Sequence, residues 1–250
     1  MQYGICHLSV VPVRIGASSH DEMVTQLLYG DHFKVKEKRK YCSKIQIAFD
    51  KFEGWIDNNQ YQFISEAYFE QIDTSIEQRI NTDFIAHLTC EKESLSPILL
   101  GSRIDASKII SHSFEGNAPI VQQSKSNLIE TALLYMNAPF LSGGKTPFGI
   151  DASGLTQMVY KINGYKLFRE TEKQSTQGEP LSFIEESEPG DLAFFDDNEG
   201  IINHVGIILK DNYIIHSYGK VRIDRIDHTG IFNTLEKKYS HKLRVIKQIA

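Results

Sequence analysis

The feature that most limits the fold is a change of pattern near residue 122. Before it, short apolar runs such as LSVVPV, FKVKEK and KIQIAF recur roughly every ten residues between polar or Gly-containing turns, the rhythm of a small all-β domain. Residues 1–63 are therefore expected to form a small barrel or sandwich. Residues 64–122 are less regular: ISEAYFEQI is apolar at Ile64, Ala67, Tyr68 and Ile72, compatible with a short helix, and FIAHLTC and SPILLGSRI read as strands. The polar stretch NAPIVQQSKS marks the boundary.

Beyond it the pattern turns to helix followed by sheet. Leu128, Ala132, Leu133, Tyr135 and Met136 give an apolar face at helical spacing, with Pro139 as the stop. After the turn-rich SGGKTPFG, a second helix is expected from near Asp151, with Leu155, Met158, Val159 and Ile162 on one side and Gly164 near its end. DLAFF, HVGIIL, YIIHS, VRID and HKLRVIKQI then read as strands. A helix pair followed by an antiparallel sheet predicts an α+β domain over 123–250.

Composition narrows the function. A formal net charge of −5 leaves no basic excess to neutralise a phosphate backbone, so no nucleic-acid partner is expected, and KVKEKRK at 34–40 reads as the solvated face of a strand. No segment approaches the roughly 18 apolar residues of a membrane span, and MQYGICHLSVVPVRIGASSH lacks the layout of a secretory signal. Cys6, Cys42 and Cys90 are scattered without CxxC spacing, which suits a reducing compartment. Together these predict a cytoplasmic protein with neither a disulfide framework nor a zinc site.

The chemistry centres on GIDASGLTQ at 149–157. A cysteine at the first turn of this helix would meet unpaired backbone N–H groups and the positive end of the helix dipole, both of which favour thiolate. The position holds Ala152 instead. The partner such a thiol would need is an imidazole, and His204 and His216 each sit inside an apolar strand, twelve residues apart. If KDN at 210–212 is a three-residue hairpin turn, the two project from one face of adjacent strands, as a base and the group that orients it. A two-residue turn at Asp211-Asn212 would put them on opposite faces.

GIDASGLTQ, PGDLAFF, NHVGIIL and YIIHS, in this order and spacing, resemble the NlpC/P60 family of papain-like cysteine peptidases. The resemblance implies helices packed on an antiparallel sheet over 123–250. The family's Asp-Cys-Ser-Gly motif puts its nucleophile on Ala152, its general base on His204 and its third, orienting residue on His216. Asp151 and Ser153 would then help to bind substrate, although Asp151 reads equally as a helix cap. Pro12-Val13-Arg14, LLYGD ending in Asp31, and Gly54-Trp55-Ile56-Asp57 resemble a bacterial SH3-like domain covering residues 1–63, and 64–122 is expected to be a second small unit of that kind.

SH3-like domains ahead of an NlpC/P60 domain are similar to the γ-D-glutamyl-L-diamino acid endopeptidases that recycle murein stem peptides. There the SH3-like domain closes one end of the cleft, so that the peptide taken has a free N-terminal L-alanine. Glu53, beside Trp55, is the candidate for meeting that amine. No metal or organic cofactor is implied.

Two departures set this chain apart. A methyl group at Ala152 cannot attack a carbonyl, and neighbouring Ser153 points about 100° away. Where the family has Pro-Tyr-x-Trp-Gly-Gly, the chain has Pro139-Phe140-Leu141-Ser142-Gly143-Gly144, so Phe140 lacks a hydroxyl beside the nucleophile position and Ser142 lacks an indole. Replacement of the cysteine in a working peptidase accounts for Ala152 alone; a natural relative that has lost catalysis accounts for Phe140 and Ser142 as well. A third reading, a scaffold recognising protein partners, would need an exposed aromatic groove from Tyr29, Tyr41 and Trp55.

Overall fold

The computed structural model describes residues 1–90, 93–197 and 199–249, which group into two units, Met1–Gln122 and Gln123–Ala250. In the first, β1 (Gln2–Ile5), β2 (Val10–Arg14), β3 (Met23–Leu28), β4 (His32–Lys38), β5 (Cys42–Ile47), β6 (Glu53–Asp57) and β7 (Gln62–Ile64) form one sheet in the order β3-β2-β6-β5-β4-β1-β7. Alternation sets which side chains point inward: on β5, Ser43, Ile45 and Ile47 are buried while Cys42, Lys44 and Gln46 are less so. Ile45 and Ile47 join Val11, Val13, Leu27 and Phe33 in the core. On β4, Lys36, Glu37 and Lys38 stand exposed beyond buried Val35.

The helix α1 (Glu66–Asp73) begins where the Ser65 side chain accepts from the Tyr68 N–H. Its buried residues are Phe69 and Ile72, whereas Tyr68 is 46% exposed. That start puts the inward stripe on a pair three residues apart, about a quarter-turn from the Ala67-Tyr68 face expected from periodicity. The strands β8 (Ile85–Thr89), β9 (Leu95–Leu99) and β10 (Ser113–Phe114) make a three-stranded sheet in the order β10-β8-β9. Leu88 and Ile98 from it share a core with Ile5 and Tyr29. Tyr29 is thus fully buried and Trp55 nearly so, while Tyr41 is exposed.

The second unit contains α2 (Leu128–Leu133), the two-residue strands β11 (Lys145–Thr146) and β12 (Gly149–Ile150), α3 (Ala152–Ile162) and α4 (Thr171–Gln174). Then follow β13 (Glu179–Leu181), β14 (Leu192–Asp196), β15 (Ile202–Ile208), β16 (Tyr213–Tyr218), β17 (Lys220–Ile226), β18 (Gly230–Asn233) and β19 (Lys238–Gln248). The sheet order is β13-β19-β14-β15-β16-β17-β18, and β18 pairs back onto β19, so all but β13 close into a ring. Closure leaves those strands no free edge. Inside lie Ala193, Phe195, Ile208, Ile214, Ile226 and Ile231. α3 packs against β15 and β16.

The first helix of this unit ends before Pro139 is reached. After Leu133 the chain tightens into three-residue turns, with Tyr135 N–H donating to Ala132 O and Met136 N–H to Leu133 O. Asn137 at φ 65° then reverses its direction. No helix among the described residues is long and apolar enough to cross a membrane. Cys6, Cys42 and Cys90 are not joined in disulfides among the described residues.

Candidate active site

Ala152 is the first residue of α3 and is buried. The preceding Asp151 has an extended backbone, and its Oδ1 accepts from the Gly154 N–H at 2.7 Å, satisfying one of the donors a helix start leaves open. Its Oδ2 takes the Gly143 N–H at 2.8 Å and an Arg169 N–H at 2.5 Å. Arg169 also donates to Ser153 Oγ at 2.6 Å, and the guanidinium is almost fully buried. Asp151 and Ser153 therefore have partners inside the chain, and these contacts fix the helix start. Ser217 Oγ on β16 donates to Ile150 O at 2.8 Å, tying the entry to α3 to the strand that carries His216.

Gly154 explains how closely the loop can approach. A Cβ there would stand 2.3 Å from Gly144 O, so only glycine lets the GG turn lie across the first turn of α3.

The Lys210–Asn212 segment forms a three-residue turn between β15 and β16, with Asp211 and Asn212 both at positive φ. Gly206 pairs with His216, which leaves His204 and His216 on one face. His204 Nε2 lies 2.8 Å from His216 Nδ1, with the rings perpendicular. His216 Nε2 in turn lies 3.0 Å from Asp224 Oδ2 on β17, and Arg222 donates to Asp224 Oδ1 at 2.8 Å. A carboxylate only accepts, so His216 carries its proton on Nε2 and presents the Nδ1 lone pair to His204. His204 must then donate through Nε2, which leaves its Nδ1 as the free base.

A third imidazole completes the cluster. His241 on β19 stacks on His204, with ring centroids 3.9 Å apart. Burial holds the His204 pKa well below its ordinary value, with His216 and His241 adding to the effect. Burial also lowers His216, against the pull of Asp224, and brings His241 to about 4. Burial thus favours the neutral form of these three imidazoles, each with one nitrogen lone pair.

A cavity of about 670 Å³ opens beside the cluster, lined by Phe140, His204, Ser217, Tyr218, Tyr239 and His241 among others. Phe140, half exposed, reaches it from a backbone anchored by its N–H on Gly219 O. Asp196 also lines the wall; its Oδ1 is buried with no hydrogen-bond partner among the described residues, and Oδ2 is 3.7 Å from Arg244 Nε. Glu53 and Trp55 lie in the first unit on β6, where Glu53 pairs with Lys44 at 2.9 Å and Arg39 sits over the Trp55 ring.

His204, His216 and Asp224 thus form a hydrogen-bonded chain on strands whose sheet packs against α3. Residues 137–240 match the NlpC/P60 family and residues 13–60 the bacterial dipeptidyl-peptidase SH3 domain. Residues 137–240 are an NlpC/P60 domain. Ahead of it stands a bacterial dipeptidyl-peptidase SH3 domain, and the chain is homologous to dipeptidyl-peptidases. Dipeptidyl-peptidase 6 of Lysinibacillus sphaericus is 26% identical over 232 residues, covering 79% of this chain and 81% of that one. The γ-D-glutamyl-L-lysine dipeptidyl-peptidase of Bacillus subtilis (strain 168) is 32% identical over 103 residues, 40% of this chain and 34% of its own length. The crystal structure of an NlpC/P60 family protein from Bacillus cereus ATCC 10987 superposes with a TM-score of 0.78 at 18% identity, over 98% of this chain and 99% of that one, which shows the shared fold.

Sequence reasoning missed Asp224, His241 and Arg169 in this NlpC/P60 domain. Asp224 carried a usable signal, since a tight turn at Gly219 places it diagonally across from His216 on the same face. His241 carried none, because its position depends on an irregular pairing of β19 with β18.

Proposed function

We propose that this chain binds murein stem peptides in the cavity beside His204 and does not cleave them. The reaction of the class it resembles is hydrolysis of the amide between γ-D-Glu and the diamino acid, through a thioacyl intermediate on cysteine. The observation that carries the reading is an intact His204–His216–Asp224 relay on strands that pack against a helix opening with Ala152. The relay persists, while the helix start offers a methyl group where the family's pattern has a thiol. Loss of a triad nucleophile lowers turnover on the order of a millionfold, so hydrolysis is absent while the cleft persists.

The second unit is read as papain-like, and Glu53 and Trp55 as contributing to recognition of the N-terminal L-alanine. A natural pseudoenzyme is the second reading, favoured by Phe140 and Ser142 where the family's pattern has tyrosine and tryptophan. The test is Ala152→Cys. New cleavage of L-Ala-γ-D-Glu-L-diamino-acid peptides by this variant supports a peptidase missing one residue. A variant that binds the peptide and stays silent favours the pseudoenzyme. One that neither binds nor cleaves contradicts both.

A further inference from the structure

The basic run KVKEKRK at 34–40 takes no part in the site described above. We propose that the hairpin joining β4 to β5 docks on an anionic phospholipid bilayer, tip first, through Lys36, Lys38, Arg39 and Lys40, with Tyr41 settling among the headgroups. Between Lys34 and Lys44 six cations stand against one carboxylate, Glu37. The whole chain has a formal net charge of −5, so its remainder is acidic. An anionic surface repels that remainder and attracts this end, which orients the approach.

The tip is braced from beneath. The Arg39 N–H donates to Cys42 O at 2.8 Å, so the chain reverses at Lys40 and Tyr41. Asn58 holds the reversal, its backbone N–H donating to Tyr41 O and its side-chain amide to Arg39 O, both at 2.9 Å. Residues 36–41 are all exposed, Tyr41 to 69%. A register shift between Val35 and Glu37 leaves Lys36 unopposed on β5, a bulge of the kind that re-aims a side chain. The cations diverge to either side of the hairpin. Lys38 Nζ lies 4.6 Å from the ring centre of Phe63 on β7, whereas Arg39 Cζ lies 4.3 Å from that of Trp55 on β6, the strand flanking β5. Lys40 Nζ stands 4.8 Å from the Tyr41 ring.

Two features favour a bilayer over a soluble linear polyanion. Charges that diverge to both sides of a hairpin meet a flat surface together, whereas a linear chain lying along one side reaches only some of them. Tyr41 and the 45%-exposed Phe63 also place aromatic rings at this end, the residue type that settles at headgroup level. The acidic groups nearby are engaged within the chain: Glu37 pairs with Arg39 at 2.7 Å, Glu53 with Lys44 at 2.9 Å, and Asp57 Oδ1 accepts the Asn59 N–H at 2.7 Å. Lys36, Lys38 and Lys40 are thereby left without a carboxylate partner among the described residues. Each such cation strengthens association with an anionic leaflet about fivefold.

The inference stands apart from the peptide reading, since its probe is a lipid vesicle. The test is co-sedimentation of the full chain with vesicles of phosphatidylcholine alone and of equimolar phosphatidylcholine and phosphatidylglycerol. Binding is expected to the anionic vesicles only, and to be lost as NaCl is raised from about 0.05 to 0.5 M. Lys38→Gln and Lys40→Gln should each weaken it about fivefold. Lys166→Gln, which removes an exposed lysine from the second unit, should leave it unchanged, and Tyr41→Ser should weaken it with the charge intact. All four positions are exposed, and circular dichroism checks that the variants fold. Binding to neither vesicle, equal binding to both, or an equal loss in Lys166→Gln and Lys40→Gln would overturn the proposal. So would capture by soluble polyphosphate without any vesicle binding.

Discussion

His216 Nε2 and Asp224 Oδ2 lie 3.0 Å apart at the buried centre of the second sheet, and this contact decides which nitrogen of His216 carries its proton. Through His216 it also decides which nitrogen of His204 is free to act as a base.

Asp224→Asn should therefore reverse the tautomer while leaving the side-chain shape unchanged. In an Ala152→Cys background that cleaves peptide, kcat is expected to fall on the order of 100-fold or more, with little change in KM. Steady-state kinetics on the two variants checks this; an unchanged kcat would mean the relay has no part in turnover.

Arg169 predicts a stability effect. It is buried against Asp151 and Ser153, and removing one partner of a buried ion pair leaves the other uncompensated. Arg169→Met should destabilise the second unit by about 3 kcal/mol, with Arg169→Lys recovering part of the loss. Urea denaturation followed by circular dichroism measures both.

Gly154→Ala should run against the usual helix rule. Alanine in a helix interior ordinarily gains about 1 kcal/mol over glycine, yet here its Cβ would meet the Gly144 carbonyl at 2.3 Å. A loss of about 1–3 kcal/mol is expected from the forced backbone shift; a rise in melting temperature would show that the turn does not lie against α3.

The first unit predicts acid sensitivity. Burial, reinforced by Arg103, lowers the His32 pKa to about 4 against the opposing pull of Asp73 and Asp31. Between about 6.5, the unfolded value, and about 4, the unfolded chain binds a proton that the folded chain refuses. Stability is thus fully present above the unfolded value and declines as pH falls through this window, by at most about 1.4 kcal/mol per pH unit. His32→Gln should flatten that slope, as read by denaturation midpoints from pH 7 to 4.5.

What the sequence revealed depended on how local the cause was. The strand rhythm, the helix start at Asp151 and the even spacing of His204 and His216 are set by near neighbours, and the three-residue turn at Lys210–Asn212 put both imidazoles on one face. Closure of the ring through β18 and β19 is a long-range pairing with bulges at both neighbours of β19, and alternation cannot report where a bulge aims His241. Arg169 reaches back to Asp151 from a loop eighteen residues on, with no periodic pattern to mark it. The roles of Asp151 and Ser153 could not be read from the motif alone, since a capping carboxylate and a substrate-binding one look the same in sequence.

The most direct test of the central claim is calorimetric titration of the chain with L-Ala-γ-D-Glu-diaminopimelate, followed by mass spectrometry of the mixture. Saturable binding with the peptide mass unchanged is the predicted result. Recovery of L-Ala-γ-D-Glu and free diamino acid, or no binding at millimolar peptide, would contradict it.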